Sequence, residues 1–336
     1  MRWKDVLEIY SYIPTIPLAE ALALEARRRG SDTHITLMTD DLWFTSMAEL
    51  PKRWLREPSP VNLAINKSVT AYVYLGGPAD ARRMPSIPLE KFDANAIGNM
   101  KQDEPRWRRK VRYVDLPIGR VCPERAEAYG LDYSRWRESY EAALAADLGE
   151  IRKTGLEWAG KLKGRRRIRI TSNAGTDLTL ETKGTRPFVD DGIIDAQDLR
   201  AGHLETGLPA GKAVWAARPN SAEGEIHFAE PIPLAGRLVE GAKFSFRKGK
   251  LVDWEARENA DLLKHPLRNQ QNAGLNWLGW FAIGLNPSAQ PCMLDNSIVN
   301  DELTIGLGYN PQLEDRKQTT AEFEATVGKC KIDIYP

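Results

Sequence analysis

Cysteine is scarce in this sequence. Its 336 residues contain 3 cysteines, and these are Cys122, Cys292 and Cys330. They lie far apart, and no two of them form the CxxC spacing of a zinc knuckle. A disulfide-stapled scaffold and a cysteine-based zinc module are therefore both excluded. We expect buried or unreactive thiols.

Histidines and common catalytic motifs are also few. The sequence contains 4 histidines, and none is spaced from another as in the metal-binding motifs HxxxH or HxH. It also lacks a GxSxG nucleophile elbow, a phosphate-binding P-loop, a GxGxxG dinucleotide motif and a DxDxD cluster. These absences argue against the enzyme classes that depend on such motifs, and we predict no cofactor.

Long apolar runs and a charge imbalance are missing as well. Apolar runs such as residues 71–75 are much shorter than the roughly 20 residues that a membrane-spanning helix needs. The first residues, MRWKDVLEIY, carry charges where a signal peptide has a continuous apolar stretch. Lys and Arg number 47 against 46 Asp and Glu, so the net charge is +1. We therefore expect a cytoplasmic protein with neither nucleic acid nor a membrane as a partner.

Helical and strand patterns alternate in the N-terminal part of the chain. Residues 16–29 have apolar side chains at helical spacing, and the pattern stops at Gly30. Residues 34–38 alternate as a strand does, and residues 71–75 resemble a buried strand that ends at Gly76. Helices that alternate with apolar strands are typical of a mainly parallel sheet. We predict an α/β domain at residues 1–130.

A long helical pattern separates this domain from a region rich in short strands. Apolar residues recur at helical spacing over residues 132–162, which predicts a linking helix at residues 131–164. Short strand patterns interrupted by Gly and Pro follow. Residues 244–246 and 251–254, joined by a Lys-Gly-Lys sequence, predict a β-hairpin. We predict an α+β domain at residues 165–336.

Five segments of the second half resemble the M29 metallo-aminopeptidases. They follow in the same order and spacing as in that family, over about residues 165–335: ITSNAGTDL at 170–178, AEGE at 222–225, FRKGKLVD at 246–253, AIGLNP at 282–287 and IGLG at 305–308. The segment that ends at Gly30 is a weaker match. The resemblance implies the two-part fold that these peptidases share with 2,5-dihydroxypyridine dioxygenases.

The positions that resemble the family's metal ligands carry other residues here. Lys212 takes the place of one ligand glutamate, and Trp280 takes the place of a second. Thr304 stands where the family has a histidine, and Glu322 and Glu324 stand where it has a His-x-Asp pair. A two-metal site needs several carboxylates and imidazoles, whereas a lysine repels the metal and an indole offers no lone pair. The iron site of the dioxygenases, with two histidines and a carboxylate, is equally incomplete.

Two interpretations of the remaining carboxylates stay open. Glu322 and Glu324 are two residues apart, so on an extended strand they share a face and could hold a weak cation. In the interpretation that we favour, Lys212 pairs with one of them and replaces the metal electrostatically, because buried charges need partners.

We therefore predict a non-catalytic peptide-binding protein on an M29-like fold. The predicted cleft is formed by Lys212, Trp277, Trp280, Thr304, Tyr309, Glu322 and Glu324. The chain is similar in its missing ligands to the peptide-binding proteins of crocagin-type biosynthesis. That similarity implies a ribosomal precursor peptide, presented for modification, with tailoring enzymes as further partners.

Three further hypotheses concern assembly and chemistry. The family resemblance implies a homodimer formed mainly through the C-terminal domain. The alternative function is a metal-dependent hydrolase or dioxygenase with a rebuilt site that uses Glu322 and Glu324. A purely structural dimer without a ligand is less favoured, because the segment at the cleft position, residues 277–281, is aromatic.

Overall fold

The computed structural model describes residues 4–310, 313 and 323–335. Its contacts divide the chain into two units, described separately below. Unit 1 comprises residues 1–137 and 194–208, and unit 2 comprises residues 138–193 and 209–336.

The elements are numbered in chain order within the described residues. The helices are α1 (Ile16–Arg28), α2 (Asp40–Glu49), α3 (Lys52–Leu55), α4 (Pro60–Asn66), α5 (Leu89–Arg108), α6 (Pro123–Ala128), α7 (Tyr133–Leu144), α8 (Leu148–Lys161), α9 (Ala196–Ala201) and α10 (Ala260–Asn272). The strands are β1 (Val6–Tyr12), β2 (Asp32–Met38), β3 (Ala71–Tyr74), β4 (Arg112–Asp115), β5 (Arg167–Thr171), β6 (Asp177–Glu181), β7 (Phe188–Asp190), β8 (Glu205–Gly207), β9 (Lys212–Ala216), β10 (Glu223–His227), β11 (Ile232–Leu234), β12 (Arg237–Val239), β13 (Lys243–Arg247), β14 (Lys250–Glu255), β15 (Leu278–Gly284), β16 (Glu302–Leu307), β17 (Phe323–Lys329) and β18 (Lys331–Tyr335).

Unit 1 is built on a parallel sheet. Among the described residues its strand order is β2-β1-β3-β4-β8, and every neighbouring pair is parallel. Alanines at one side of α1 pack on the buried side chains of the two central strands; the buried set includes Ala19, Ala23, Leu7, Ile9 and Ala71. Parallel strands need crossover connections, which the helices supply. The predicted α/β fold of the N-terminal domain is confirmed.

Unit 2 contains two larger antiparallel sheets over one shared core. In the described part of the chain, one sheet has the order β14-β13-β10-β6-β5-β18 and the other the order β17-β16-β15-β9-β7. Alternate residues of both sheets point into the core, where the rings of Trp215 and Phe281 stack 5.5 Å apart. Helices α8 and α10 complete the unit. The predicted α+β character of the C-terminal domain is confirmed.

The unit boundaries differ from the predicted boundaries at residues 130 and 164. The predicted linking helix is two helices, α7 and α8, because the chain turns at residues 145–147. Residues 194–208 return to unit 1, where β8 pairs with β4. A local hydrophobic pattern contains no signal for such a return, because it records spacing along the chain and not the partner strand.

Several predicted elements are confirmed. Helix α1 and strands β2 and β3 lie where the patterns place them, and β13 and β14 form the predicted hairpin. The three cysteines are partly buried. None of the helices in the described ranges is both long enough and apolar enough to cross a membrane.

Candidate functional site

Four positions that resemble metal-ligand positions lie on adjacent strands of one sheet. Lys212 is on β9, Trp280 on β15, Thr304 on β16 and Glu324 on β17. Trp280 is opposite Gly306, and Gly306 is opposite Glu324. Directly opposite residues share a face, and alternate residues of one strand return to it. The structure therefore brings these four side chains to one face, called the outer face below because the other face packs on the core.

Trp280 fills the space in front of β16 on the outer face. It is 6% exposed and packs with Phe188, Val214 and Ala282. A Cβ atom added to Gly306 would lie 1.8 Å from Cε2 of the indole, so the ring lies directly over that glycine. The volume between β15 and β17 is thus occupied by an apolar ring, and this ring has no lone pair that could coordinate a metal.

Thr304 is part of the packed sheet surface. It is 2% exposed, and its hydroxyl lies 3.1 Å from the hydroxyl of Thr326 on β17. The two threonines are also direct partners in the strand register. A hydroxyl that already has a hydrogen-bond partner stabilises the sheet, and it offers a much weaker metal ligand than an imidazole.

Lys212 and Glu324 are electrostatically coupled. Burial raises the pKa of Glu324 above its ordinary value, the positive charge of Lys212 lowers it, and Asp295 raises it further. The side chain of Glu324 is nevertheless exposed to solvent. The charge effect of Lys212 has the sign that the lysine–glutamate interpretation requires, and the pairing itself stays a prediction. Glu322 lies outside the described residues.

An aromatic pair lies beside the ends of β15 and β16. Trp277 precedes β15 and Tyr309 follows β16, and their rings meet edge to face with centroids 5.2 Å apart. Both side chains are half-buried. Unlike Trp280, they retain accessible ring surface that a ligand can cover.

The residues present do not fit the metal centre of a peptidase. In the part of the chain that the structure describes, no group of three or more His, Cys, Asp and Glu side chains is placed to hold a metal ion. The outer face instead carries an ammonium, an indole and a paired hydroxyl at three of the positions that resemble the family's ligand positions.

The sequence interpretation missed a second acidic pair in unit 2. Glu302 is 2% exposed, its Oε2 is buried without a hydrogen-bond partner, and its carboxyl group lies near that of Glu230. Asn296 donates a hydrogen bond to Glu230. The signal that could have found Glu302 is its position two residues before Thr304 on the same strand, since alternate residues share a face.

The fold of the chain is similar to that of solved structures of other proteins. AmpT from Thermus thermophilus has a similar structure, with a TM-score of 0.71 over 99% of this chain and 90% of that chain, at 17% identity. A 2,5-dihydroxypyridine dioxygenase from Pseudomonas putida KT2440 is also similar, with a TM-score of 0.56, 12% identity and coverage of 98% and 88%. At these identities the similarity shows the fold alone, and it confirms the fold that the sequence resemblance implies.

The family match covers most of unit 2 together with residues 194–208 of unit 1. The family described as thermophilic metalloprotease (M29) matches residues 148–331, more than half of the chain, and the chain belongs to this family. Aminopeptidase AmpS of Bacillus subtilis (strain 168) is 24% identical over 156 residues, which cover 44% of this chain and 37% of AmpS. Aminopeptidase PepS of Streptococcus thermophilus is 26% identical over 170 residues, which cover 48% of this chain and 40% of PepS. The match thus spans about two fifths of the length of these curated relatives.

Proposed function

We propose that the chain is a peptide-binding protein that uses the outer face of unit 2 and does not cleave its ligand by metal-dependent hydrolysis. One observation carries this proposal: Lys212, Trp280 and Thr304, which the resemblance aligns with the family's metal ligands, lie on adjacent strands of one sheet face. The relatives AmpS and PepS are named aminopeptidases, which act on peptides. A cleft inherited from such a protein favours an extended peptide as its ligand.

The outer face offers both charged and apolar contacts to a peptide. Lys212 suits a carboxylate and Glu324 suits an ammonium, so the two can hold charged side chains or a chain terminus. The ring surfaces of Trp277 and Tyr309 add apolar contact at the end of the same sheet. Following the crocagin resemblance, we propose a ribosomal precursor peptide, held for tailoring enzymes, as the ligand.

Binding is tested with the full-length chain and decapeptides selected on it from a random library. Trp277→Ala removes a half-buried ring that is available to the ligand, so we expect a loss of at least about 2 kcal/mol, or roughly thirtyfold in affinity by calorimetry. Trp280→Ala is a poorer test, because Trp280 is buried against Phe188 and Val214 and its loss changes folding as well.

Trp158→Ala is the matched control for this measurement. Trp158 is a half-buried tryptophan of unit 2, on α8, where Lys161 lies over its ring. We expect its removal to leave peptide affinity unchanged. Equal affinity in the Trp277→Ala variant and the wild type, with both folded by circular dichroism, would move the binding site away from this end of the outer face.

The metal-free part of the proposal has a test of its own. Elemental analysis of the purified, untagged chain is expected to find no stoichiometric zinc, manganese or iron. Stoichiometric metal that is lost in a Glu324→Gln variant would overturn the proposal. It would support instead a hydrolase or dioxygenase with a rebuilt site at Glu322 and Glu324.

A further inference from the structure

Two buried or half-buried arginines lie at the carboxyl end of the parallel sheet in unit 1. Arg120 and Arg125 follow β4, and Arg125 is 6% exposed while Arg120 is half-buried. Moving a guanidinium group out of water costs several kcal/mol unless a charge or a full set of hydrogen bonds compensates it. The partners of these two groups therefore need an explanation.

Both guanidinium groups are held by neutral acceptors. Arg120 donates from Nε to the carbonyl oxygen of Gly77 at 3.3 Å and from Nη2 to the hydroxyl of Tyr74 at 3.2 Å. Arg125 donates from Nη2 to the carbonyl oxygen of Pro78. The Nε atom of Arg125 is buried and has no hydrogen-bond partner within the described residues. At least one buried donor therefore lacks its acceptor, which destabilises the folded state unless a ligand supplies one.

In the described segments, the two guanidinium groups also lack carboxylates close enough to balance their positive charge. Neither guanidinium forms a salt bridge with a carboxylate in the described ranges of the chain. Burial lowers the pKa of Arg125, and the like charge of Arg120 lowers it further. Asp115 is the nearby carboxylate whose charge acts on Arg120. Asp40 is committed elsewhere, because it accepts hydrogen bonds from the amides of Ala79 and Asp80.

The topology of the sheet favours a ligand at this edge. The chain passes from β1 outward to β2 on one side and then to β3 and β4 on the other, so the strand order reverses between β1 and β3. Open parallel sheets bind ligands beyond the carboxyl ends of their strands at such a reversal. The loop that follows β3 carries the carbonyl groups that hold both arginines. Gly77 in this loop, at φ +128°, lies against the ring of Tyr12 with no room for a Cβ atom.

We propose that this edge of unit 1 binds an oxyanion, the carboxylate or phosphate group of a small ligand, between Arg120 and Arg125. The anion supplies the acceptor that Nε of Arg125 lacks and a negative charge for the pair of guanidinium groups. Guanidinium groups suit carboxylates and phosphates because their donors form a planar fork. All of these residues belong to unit 1, so the inference is independent of peptide binding on unit 2.

The test is a calorimetric titration of the full chain with inorganic phosphate and, separately, with acetate, in chloride buffer at constant ionic strength. The anion that binds more tightly identifies the class of the ligand group. We expect Arg120→Gln to raise its Kd at least about tenfold, which corresponds to about 1.4 kcal/mol. Arg82→Gln is the matched control, since Arg82 is an exposed arginine of the same unit that is paired with Asp80 and Glu127.

Two results overturn the inference. One is a wild type that binds neither anion, which leaves an ordered water molecule as the partner of Arg125. The other is an Arg120→Gln variant that binds as tightly as the wild type and the Arg82→Gln control. If Arg120→Gln does not fold, Arg125→Lys replaces it, because it keeps the charge and removes the planar fork; unchanged binding in that variant has the same consequence.

Discussion

Trp280 and Gly306 form a complementary pair on the outer face. The indole needs the space in front of β16, and only a residue without a Cβ atom leaves that space open. The sequence resemblance implies a ligand carboxylate at position 280 in the family. Here the indole ring instead packs with Phe188, Val214 and Ala282. A tryptophan buried in this way fixes the shape of the site and leaves the contact with a ligand to its neighbours.

The sequence predicted which residues share the outer face better than it predicted which of them are exposed to solvent. Resemblance placed Lys212, Trp280, Thr304 and Glu324 in one site, and the strand register brings them together. It did not predict that Trp280 and Thr304 are buried, because their exposure depends on Gly306 and Thr326, which lie on partner strands. The buried Glu302 was missed for the same reason: a glutamate is mostly exposed on a strand, and only its neighbours reveal otherwise.

Glu302 is expected to make the stability of the chain depend on pH. Burial raises its pKa from 4.5 to about 7; the charge of Glu230 and that of Asp301 add to the rise, and Lys329 opposes it. Because the folded pKa lies above the unfolded one, the folded state binds more protons between these two values. The free energy of unfolding is therefore unaffected by this shift below about pH 4.5. It falls as the pH rises to about 7, by roughly 3 kcal/mol in total.

Glu302→Gln removes this contribution, because the amide keeps the shape of the protonated acid and has no charge. We expect the free energy of unfolding of the variant, relative to the wild type, to increase from pH 4.5 to pH 7, measured by urea denaturation. Glu255→Gln, at an exposed position of β14, is the control that should show no such change. Parallel pH profiles for the Glu302→Gln variant and the wild type would contradict the assignment.

At the level of elements, the sequence located strands and helices but not every break between them. Residues 132–162 keep apolar side chains at helical spacing, which predicted one helix. The structure has α7 and α8 there, with a turn at residues 145–147. The signal for the break is Asp147, whose side chain accepts hydrogen bonds from the amides of Gly149 at 2.8 Å and Glu150 at 3.4 Å. An acidic residue that starts a helix in this way is a common N-cap.

Asp147→Ala is expected to cost about 1 kcal/mol in the free energy of unfolding, because two amides at the start of α8 lose their acceptor. Asp147→Asn keeps an acceptor oxygen and should retain most of the stability. Glu157→Ala, at an exposed position of the same helix, is the control and should stay within about 0.5 kcal/mol of the wild type. Urea denaturation measures all three variants. If Asp147→Ala is no less stable than Glu157→Ala, the cap does not define the start of α8.

On the scale of the whole molecule, the two units are interleaved along the chain. Unit 1 is completed by residues 194–208, which follow a segment of unit 2. The strand β8 at the edge of the parallel sheet therefore comes from beyond the predicted domain boundary. Non-local pairing of this kind cannot be inferred from local periodicity, and a truncation at residue 130 or 164 would remove a strand from unit 1.

The last prediction concerns assembly. We expect a homodimer formed mainly through unit 2, as the family resemblance implies, and two-fold dimers are the commonest assembly of soluble chains. Light scattering at micromolar concentration should give twice the 37.8 kDa mass of the chain.

Leu156 on α8 is 54% exposed, so we expect Leu156→Lys to weaken the dimer. Leu24→Lys is the matched control, since Leu24 is a helical leucine of unit 1 that is 55% exposed. A monomeric wild type would refute the dimer, and dissociation caused by Leu24→Lys alone would place the interface on unit 1.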